Sequence, residues 1–260
     1  MEPKTLKITR AGAVATVALN RPDVRNAFDD VLIGELTTAF AELGDDVTVR
    51  VVILTGEGPV FCAGADVNWM KRSVTFTQDE NKHDALRMSG MFRKIDECPK
   101  AVIGRVNGAC FGGGMGLISC CDVVVSVDSA QFAFTEVKLG IVPAVISAYV
   151  APKIGAAFAR RYFLTAEVFG PDEARRMGLV HEVSAASALD AKVAAIGAAI
   201  LKNGPAAVAT AKALIPQVLS KSRPDAIEFT ASLISKVRTS PEGQEGLGAF
   251  LEKRKPSWIP

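Results

Sequence analysis

Apolar positions along the chain follow two regimes. Up to about residue 150, short β-branched runs alternate with stretches at helical spacing; beyond it, helical spacing dominates. Residues 4–10 and 13–19 predict two strands around the turn at Ala11-Gly12, the second reading AVATVAL. A polar loop, NRPDVRNAF, follows. Over 29–43 the apolar positions Leu32, Ile33, Leu36, Phe40 and Leu43 predict an amphipathic helix, with Asp29 and Asp30 suited to its start and Gly44 to its end. VRVVILTG (49–56) is apolar enough for a strand buried on both faces. A loop, GEGPVFCAGAD, leads to a helix over 80–96 stopped by Cys98-Pro99, then strands over 101–106 and 122–127. Helical stretches are expected over 151–163, 171–178, 186–202, 204–220, 224–237 and 241–253, with one short strand near 179–183. Strands alternating with helices imply an α/β class with parallel pairing and right-handed crossovers. We divide the chain into an α/β core over 1–200 and a helical C-terminal region over 201–260. The apolar stripe in GPAAVATAKALIPQVL covers the core or meets another subunit.

Composition narrows the function. The 260 residues are 49% hydrophobic and 22% charged, an ordinary globular profile with room for a sizeable core. A net charge of +2 supplies no field for nucleic acid. No apolar run approaches the roughly 18 residues of a membrane span. The opening MEPKTLKITR lacks a signal-like apolar stretch, and there is no Asn-x-Ser/Thr sequon, so a cytoplasmic protein is expected. The five cysteines, 62, 98, 110, 120 and 121, are odd in number and form no CxxC, which predicts buried reduced thiols. Two distant histidines, His83 and His181, make no metal site, and none is expected.

Candidate chemistry lies in two glycine-rich loops, Phe61–Asp66 and Asn107–Gly114. Each follows a buried strand and opens a helix. Glycine lets another group approach the backbone closely, and a helix start leaves N–H groups unpaired. Two such N–H groups aimed at one point form an oxyanion hole. Phosphate-loop, dinucleotide and GxSxG patterns are all missing. Glu136, flanked by FAFT and VKLGIV, is expected to be buried, with its pKa raised toward a catalytic range. Asp66 suits the cap of the helix behind the first loop, and Asp122 a structural anchor. Trp69 suits either an acyl pocket or packing in the core or a lid.

Asn20-Arg21-Pro22, FCAGAD (61–66), NGACFGGGMGL (107–117), CDVVV (121–125), FAFTEVKLGIVP (132–143), EARRMGLVHEV (173–183) and FLEKRKPSW (250–258) occur in one order. Together they resemble the crotonase, or enoyl-CoA hydratase/isomerase, superfamily along essentially the whole chain. The resemblance implies the ClpP/crotonase-like fold of repeated ββα units in two nearly perpendicular sheets, with helices that build trimers or dimers of trimers. It implies an acyl-coenzyme A thioester as substrate and no separate cofactor. By position, Ala65 and Gly113 are implied as oxyanion N–H donors and Glu136 as acid/base. Ala63, Asp66 and Val67 are implied at the adenine end of coenzyme A, and Arg25 and Ala27 at its nucleotide and pantetheine. Phe250 and Lys253 are implied to reach coenzyme A, often from a neighbouring subunit; the basic run Lys253–Lys255 could meet its phosphates.

One departure matters. Typical hydratases in the family place a second glutamate where this chain has Gly116. Water addition needs one group to activate water and another to handle the C2 proton. A single carboxylate suits an enoyl-CoA isomerase that moves a double bond from position 3 to 2. ADVNWMKR, FGGGMGLISCCD and VKLGIVPAVISAYVAPKIG nevertheless resemble a hydratase subgroup acting on branched glutaconyl-CoA esters, such as 3-methylglutaconyl- or isohexenylglutaconyl-CoA, in leucine or acyclic-terpene breakdown. The expectation is a hydratase-type lyase, with an isomerase and a non-catalytic coenzyme A-binding homologue as alternatives.

Overall fold

A computed structural model describes residues 3–259. Strands β1 (Leu6–Ala11) and β2 (Val14–Leu19) form an antiparallel hairpin, with Leu6 opposite Leu19. β3 (Val51–Gly56), β5 (Ala101–Val106), β7 (Val123–Val127) and β9 (Glu182–Ser184) extend it into a six-stranded sheet, parallel from β2 onward, in the order β1-β2-β3-β5-β7-β9. β4 (Val60–Cys62), β6 (Ala109–Phe111) and β8 (Phe132–Ala133) pair in parallel as a smaller, three-stranded sheet. Each glycine loop therefore begins with a short strand that the hydrophobic pattern did not reveal. Strands of two or three residues are too short to show a period of two, and their neighbours are glycines and loop residues.

Three times the chain runs from a strand of the large sheet to a strand of the small one and then into helix. β3 and β4 lead to α2 (Val67–Ser73) and α3 (Gln78–Asp96), β5 and β6 to α4 (Gly113–Ser119), and β7 and β8 to a short 3-10 turn (Glu136–Leu139) and α5 (Ala144–Thr165). This recurrence sets one helix opening after another along the ends of the small sheet, which is where the loops converge.

Local chemistry accounts for most helix boundaries. Asp29 caps α1 (Asp30–Asp45) by accepting from the Leu32 N–H at 2.8 Å. The helix runs past Gly44 rather than stopping at it. Thr77 and Glu80 form a reciprocal capping box that starts α3 two residues before the apolar periodicity begins. The helix expected from 151 starts at Ala144 and is two stretches joined at Gly155, whose φ of 75° breaks the helical path. After α6 (Pro171–Arg176) and α7 (Leu189–Leu201), α8 (Pro205–Leu219), α9 (Arg223–Thr239) and α10 (Pro241–Leu251) each carry a proline in the first turn, where its missing N–H costs nothing. α7 packs on β3, β5 and β7, whereas α8–α10 pack largely on one another.

The core lies between the large sheet and its helices and fills with Phe28, Phe40, Phe61, Phe92, Leu19, Leu36 and Leu54. All five cysteines are buried and free, and burial pushes the thiols of Cys62 and Cys121 up to about 12. Among the described residues, no single helix is long and apolar enough to cross a membrane.

Candidate active site

The first loop is held by the segment before α1. Phe28 N–H donates to the Gly64 carbonyl at 2.7 Å, and Asp66 N–H donates to the Phe28 carbonyl at 2.8 Å. In extended backbone successive residues point their amides to opposite sides. With Gly64 and Asp66 bonded to Phe28, the Ala65 N–H between them faces the other way. Gly64 sits at φ 95°, which an L side chain rarely adopts.

The second loop is held by β8. Gly112 N–H donates to the Ala133 carbonyl at 3.0 Å, and Gly112 takes φ 51° before α4 begins. Gly113 is the first residue of α4, so its N–H has no helical acceptor. Among the described residues neither the Ala65 nor the Gly113 N–H has a protein acceptor. The loops touch: a Cβ on Gly112 would lie 3.6 Å from the Gly64 Cα. Two free N–H groups on adjoining loops can hold one developing oxyanion.

Both loops open onto a cavity of about 300 Å³, lined by Ala63, Gly64, Ala65, Gly112, Gly113, Thr135 and Glu136 at its base and by Trp69, Met70, Leu139, Ile141, Val142 and Ile146 among its apolar walls. Glu136 Oε1 lies 3.7 Å from where a Gly112 Cβ would sit. Its Oε2 is buried without a hydrogen-bond partner among the described residues. Burial pushes the carboxyl above the usual range, the Glu136 and Thr135 backbone amides pulling the other way. A carboxyl held this way has an oxygen free for substrate and an affinity for a proton that suits acid/base work.

Asp66 is 5% exposed and accepts from the Asn68 N–H at 2.7 Å and the Trp69 N–H at 3.2 Å, capping α2. Arg21 joins it to Asp29 through contacts of 3.0 and 2.9 Å. Burial pushes the Asp66 carboxyl up, but the Trp69 and Asn68 amides and the Arg21 guanidinium outweigh it and hold the group below its usual range. Asp66 is therefore an ionised cap behind the first loop. Val67, beside it, is exposed.

Arg25 and Ala27 sit on the same early segment. The Arg25 carbonyl accepts from the Ala63 N–H at 3.0 Å, and the Arg25 backbone is left-handed at φ 55°. Ala27 is buried, its carbonyl accepting from Arg21 Nη1. Phe250 and Lys253 are not brought to the cavity: both are exposed at the end of α10. In the basic run beside them, Arg254 is taken up by Glu245 and Glu252, each at 2.7 Å. Asp122 accepts from the Val102 N–H at 2.7 Å and pairs with Lys212 at 2.9 Å, so it anchors β5. His181 is structural as well: its Nδ1 accepts from the Val124 N–H at 2.9 Å, and burial lowers its pKa. His83 is exposed.

Comparison with known proteins agrees with this geometry. The enoyl-CoA hydratase/isomerase family profile matches residues 9–259. The chain belongs to the enoyl-CoA hydratase/isomerase family. A crotonyl-CoA hydratase of Syntrophomonas wolfei is 34% identical over 248 residues, covering 95% of this chain and 94% of that one. A peroxisomal Δ(3,5)-Δ(2,4)-dienoyl-CoA isomerase of Arabidopsis thaliana is 34% identical, over 97% of this chain and 96% of its own. The crystal structure of an enoyl-CoA hydratase from Shewanella pealeana superposes with a TM-score of 0.96 at 37% identity, covering 99% of this chain and 97% of that one. The architecture is the crotonase fold, and the chain is an enzyme of the enoyl-CoA hydratase family.

Where this member departs from the two-glutamate pattern, the structure shows the space is closed. A Cβ on Gly116 would meet Ile146 Cγ2 at 2.5 Å and Phe92 Cζ at 2.7 Å. Sequence reasoning also missed two contributors. Asn26 is fully buried, its Nδ2 donating to the Glu57 and Val60 carbonyls and its Oδ1 accepting from the Arg21 N–H, which locks the early segment over the first loop. Its presence in NRPDVRN was the available signal. The second is the face of α3 that borders the cavity, Asn81, Asp84, Ala85 and Met88. Their i, i+3, i+4, i+7 spacing was visible in the sequence, but it mixes polar and apolar residues and so did not mark a buried stripe.

Proposed function

We propose that this enzyme adds water reversibly across the 2,3 double bond of a 2-enoyl-coenzyme A. The thioester oxygen is held by the Ala65 and Gly113 N–H groups while Glu136 handles the proton at C2. One observation carries this reading: two acceptor-free N–H groups on touching glycine loops share a cavity with a buried carboxyl whose Oε2 has no partner among the described residues. Water oxygen bonds to C3, and the π electrons move toward the thioester oxygen as an enolate. The two N–H donors stabilise this anion, and such donors are worth on the order of 10²–10³ in rate each. The enolate collapses as C2 takes a proton from Glu136, and the water's second proton leaves to a base. Ala63, Asp66 and Val67, with Arg25 and Ala27 on the segment bonded to that loop, are the groups we assign to coenzyme A; Phe250 and Lys253 reach it from another copy of the chain. Exposed Ile215, Leu219, Ile227, Ile234, Leu247 and Leu251 on α8–α10 support a trimer or a dimer of trimers.

The acyl group is the finer question. The cavity walls are largely apolar and none of the lining residues is basic, which favours an uncharged acyl group. A branched glutaconyl ester, suggested by the sequence likeness, would bring a second carboxylate with no cation in the lining to meet it. Isomerisation of a 3-enoyl-coenzyme A is the second reading, favoured by the packed-over Gly116, which leaves no carboxyl at that position, and by Glu136 beside Gly112. Crotonyl-CoA, 3-methylglutaconyl-CoA and a 3-enoyl-CoA, each assayed with the parent and Glu136→Gln, separate these. Hydration of crotonyl-CoA, lost in the variant, is expected; double-bond migration with no water added would replace the proposal by the isomerase reading.

A further inference from the structure

The hydratase reading leaves water activation unassigned, and the cavity itself holds a second carboxyl. α3 presents Asn81, Asp84, Ala85 and Met88 to the cavity as one helical stripe. Met88 Cε lies 3.1 Å from the position of a Gly113 Cβ, so this stripe abuts the second oxyanion loop. Asp84 sits one turn above Met88, about 6 Å along the helix axis. One turn below, Phe92 fills the space beside Gly116. The same helix thus closes the family's usual position for the second glutamate and supplies an acid to the same cavity.

Asp84 has no structural duty. It lies in the middle of α3 and caps nothing. Among the described residues it makes no hydrogen bond and no ion pair, although Arg87, Arg72 and His83 are near enough to be felt and Asp30 opposes them. It is half-buried. Burial pushes its carboxyl up, a direction that strengthens it as a base. Asp84 and Glu136 are the two carboxylates in the lining; Asn81 is bonded through its Nδ2 to the Phe76 and Thr77 carbonyls.

We propose that Asp84 is the water-activating base of the hydration, a role that rests on the hydratase reading. Its carboxylate takes one proton from the water as the oxygen bonds to C3. Glu136 releases its proton to C2. One water is added in all, and exchange with solvent returns the proton from Asp84 to Glu136.

The test separates the two carboxyls. Asp84→Asn, Asp84→Glu, Glu136→Gln and the parent are assayed for crotonyl-CoA hydration and for exchange of the C2 protons of butyryl-CoA in D₂O. The exchange needs the oxyanion donors and Glu136 but no attacking water. Asp84→Asn is expected to lose about 10²–10⁴-fold in hydration kcat while keeping the exchange rate, which also reports an intact site. Asp84→Glu should recover part of the hydration, and Glu136→Gln should lose both reactions. Three results would overturn the assignment while leaving the hydratase reading in place: parental hydration in Asp84→Asn, a change confined to KM, or loss of exchange together with hydration. A parent that exchanges C2 protons but never adds water sinks the hydratase reading itself, and Asp84's role with it.

Discussion

Restoring a side chain at Gly116 probes the wall that sets this enzyme apart. An alanine there gains about 1 kcal/mol of helix propensity over glycine. Its Cβ, however, lands 2.5 Å from Ile146 Cγ2 and 2.7 Å from Phe92 Cζ. Overpacking of this kind costs about 1–3 kcal/mol, so Gly116→Ala should lose from near zero to about 2 kcal/mol. Gly116→Glu meets the same wall without the full propensity gain and buries a carboxyl with no cation among the cavity residues. Burying an unpaired polar group adds about 1–3 kcal/mol, more if it ionises, so the total centres on about 3 kcal/mol. For a domain of this size each kcal/mol moves Tm by about 2–4 °C, which places the glutamate variant about 6–12 °C below the parent. Thermal unfolding at one fixed protein concentration measures this, since assembly stabilises by mass action. Adding Phe92→Leu should return part of the loss, leaving the pair non-additive by about 0.5–3 kcal/mol. A glutamate variant with the parental Tm and a raised hydration rate would refute the reasoning, because the wall would then yield at no cost.

Glu136 makes a separate prediction about pH. Its folded pKa lies above the usual carboxylate value, so the folded chain holds the proton to higher pH than the unfolded one, and stability declines as pH rises through that interval. Glu136→Gln should therefore melt above the parent near neutrality, the gap closing as pH falls below the ordinary carboxylate range; a constant gap across that range would contradict the burial argument. Gly64→Ala puts a side chain at φ 95°, with its Cβ 3.4 Å from the Phe111 carbonyl. The strain of about 1–2 kcal/mol should lower Tm and, by moving the Ala65 N–H, reduce kcat/KM about 10²-fold; parental kcat/KM would dissociate that N–H from catalysis. The five buried thiols should be silent to an aromatic disulfide reagent in the native protein and all react in denaturant, as read by absorbance.

The long helices and the five- and six-residue strands of the large sheet were legible because each is long enough to show its pattern, whereas β9 has only three residues. β2, β3 and β5 read as apolar runs, and the Asp29 cap could be seen in sequence. The small sheet was not legible: Val60–Cys62, Ala109–Phe111 and Phe132–Ala133 carry no period of their own and exist because neighbouring strands pair with them. The same distinction holds at the site. FCAGAD, GGG and Glu136 could be picked out as chemistry from local composition and from resemblance to a family, and the structure brings Ala65, Gly113 and Glu136 to one cavity. Phe250 and Lys253 stay outside it within this chain.

By itself the sequence determined the α/β class, the order of the long elements, the two glycine loops and the absence of a carboxylate at position 116. These are local properties, carried by side-chain period, by glycine's conformational freedom and by residue identity. Tertiary structure decided which loop N–H groups remain without an acceptor, because that depends on Phe28 and Ala133 taking the neighbouring amides and carbonyls. It decided too that Gly116 is walled in by Phe92 and Ile146, and that Asp84, an unremarkable polar position in a helix, shares a cavity with Glu136. Residues 84 and 136 are brought together only by the packing of α3 over the loops, and no pattern along the chain encodes that approach in advance.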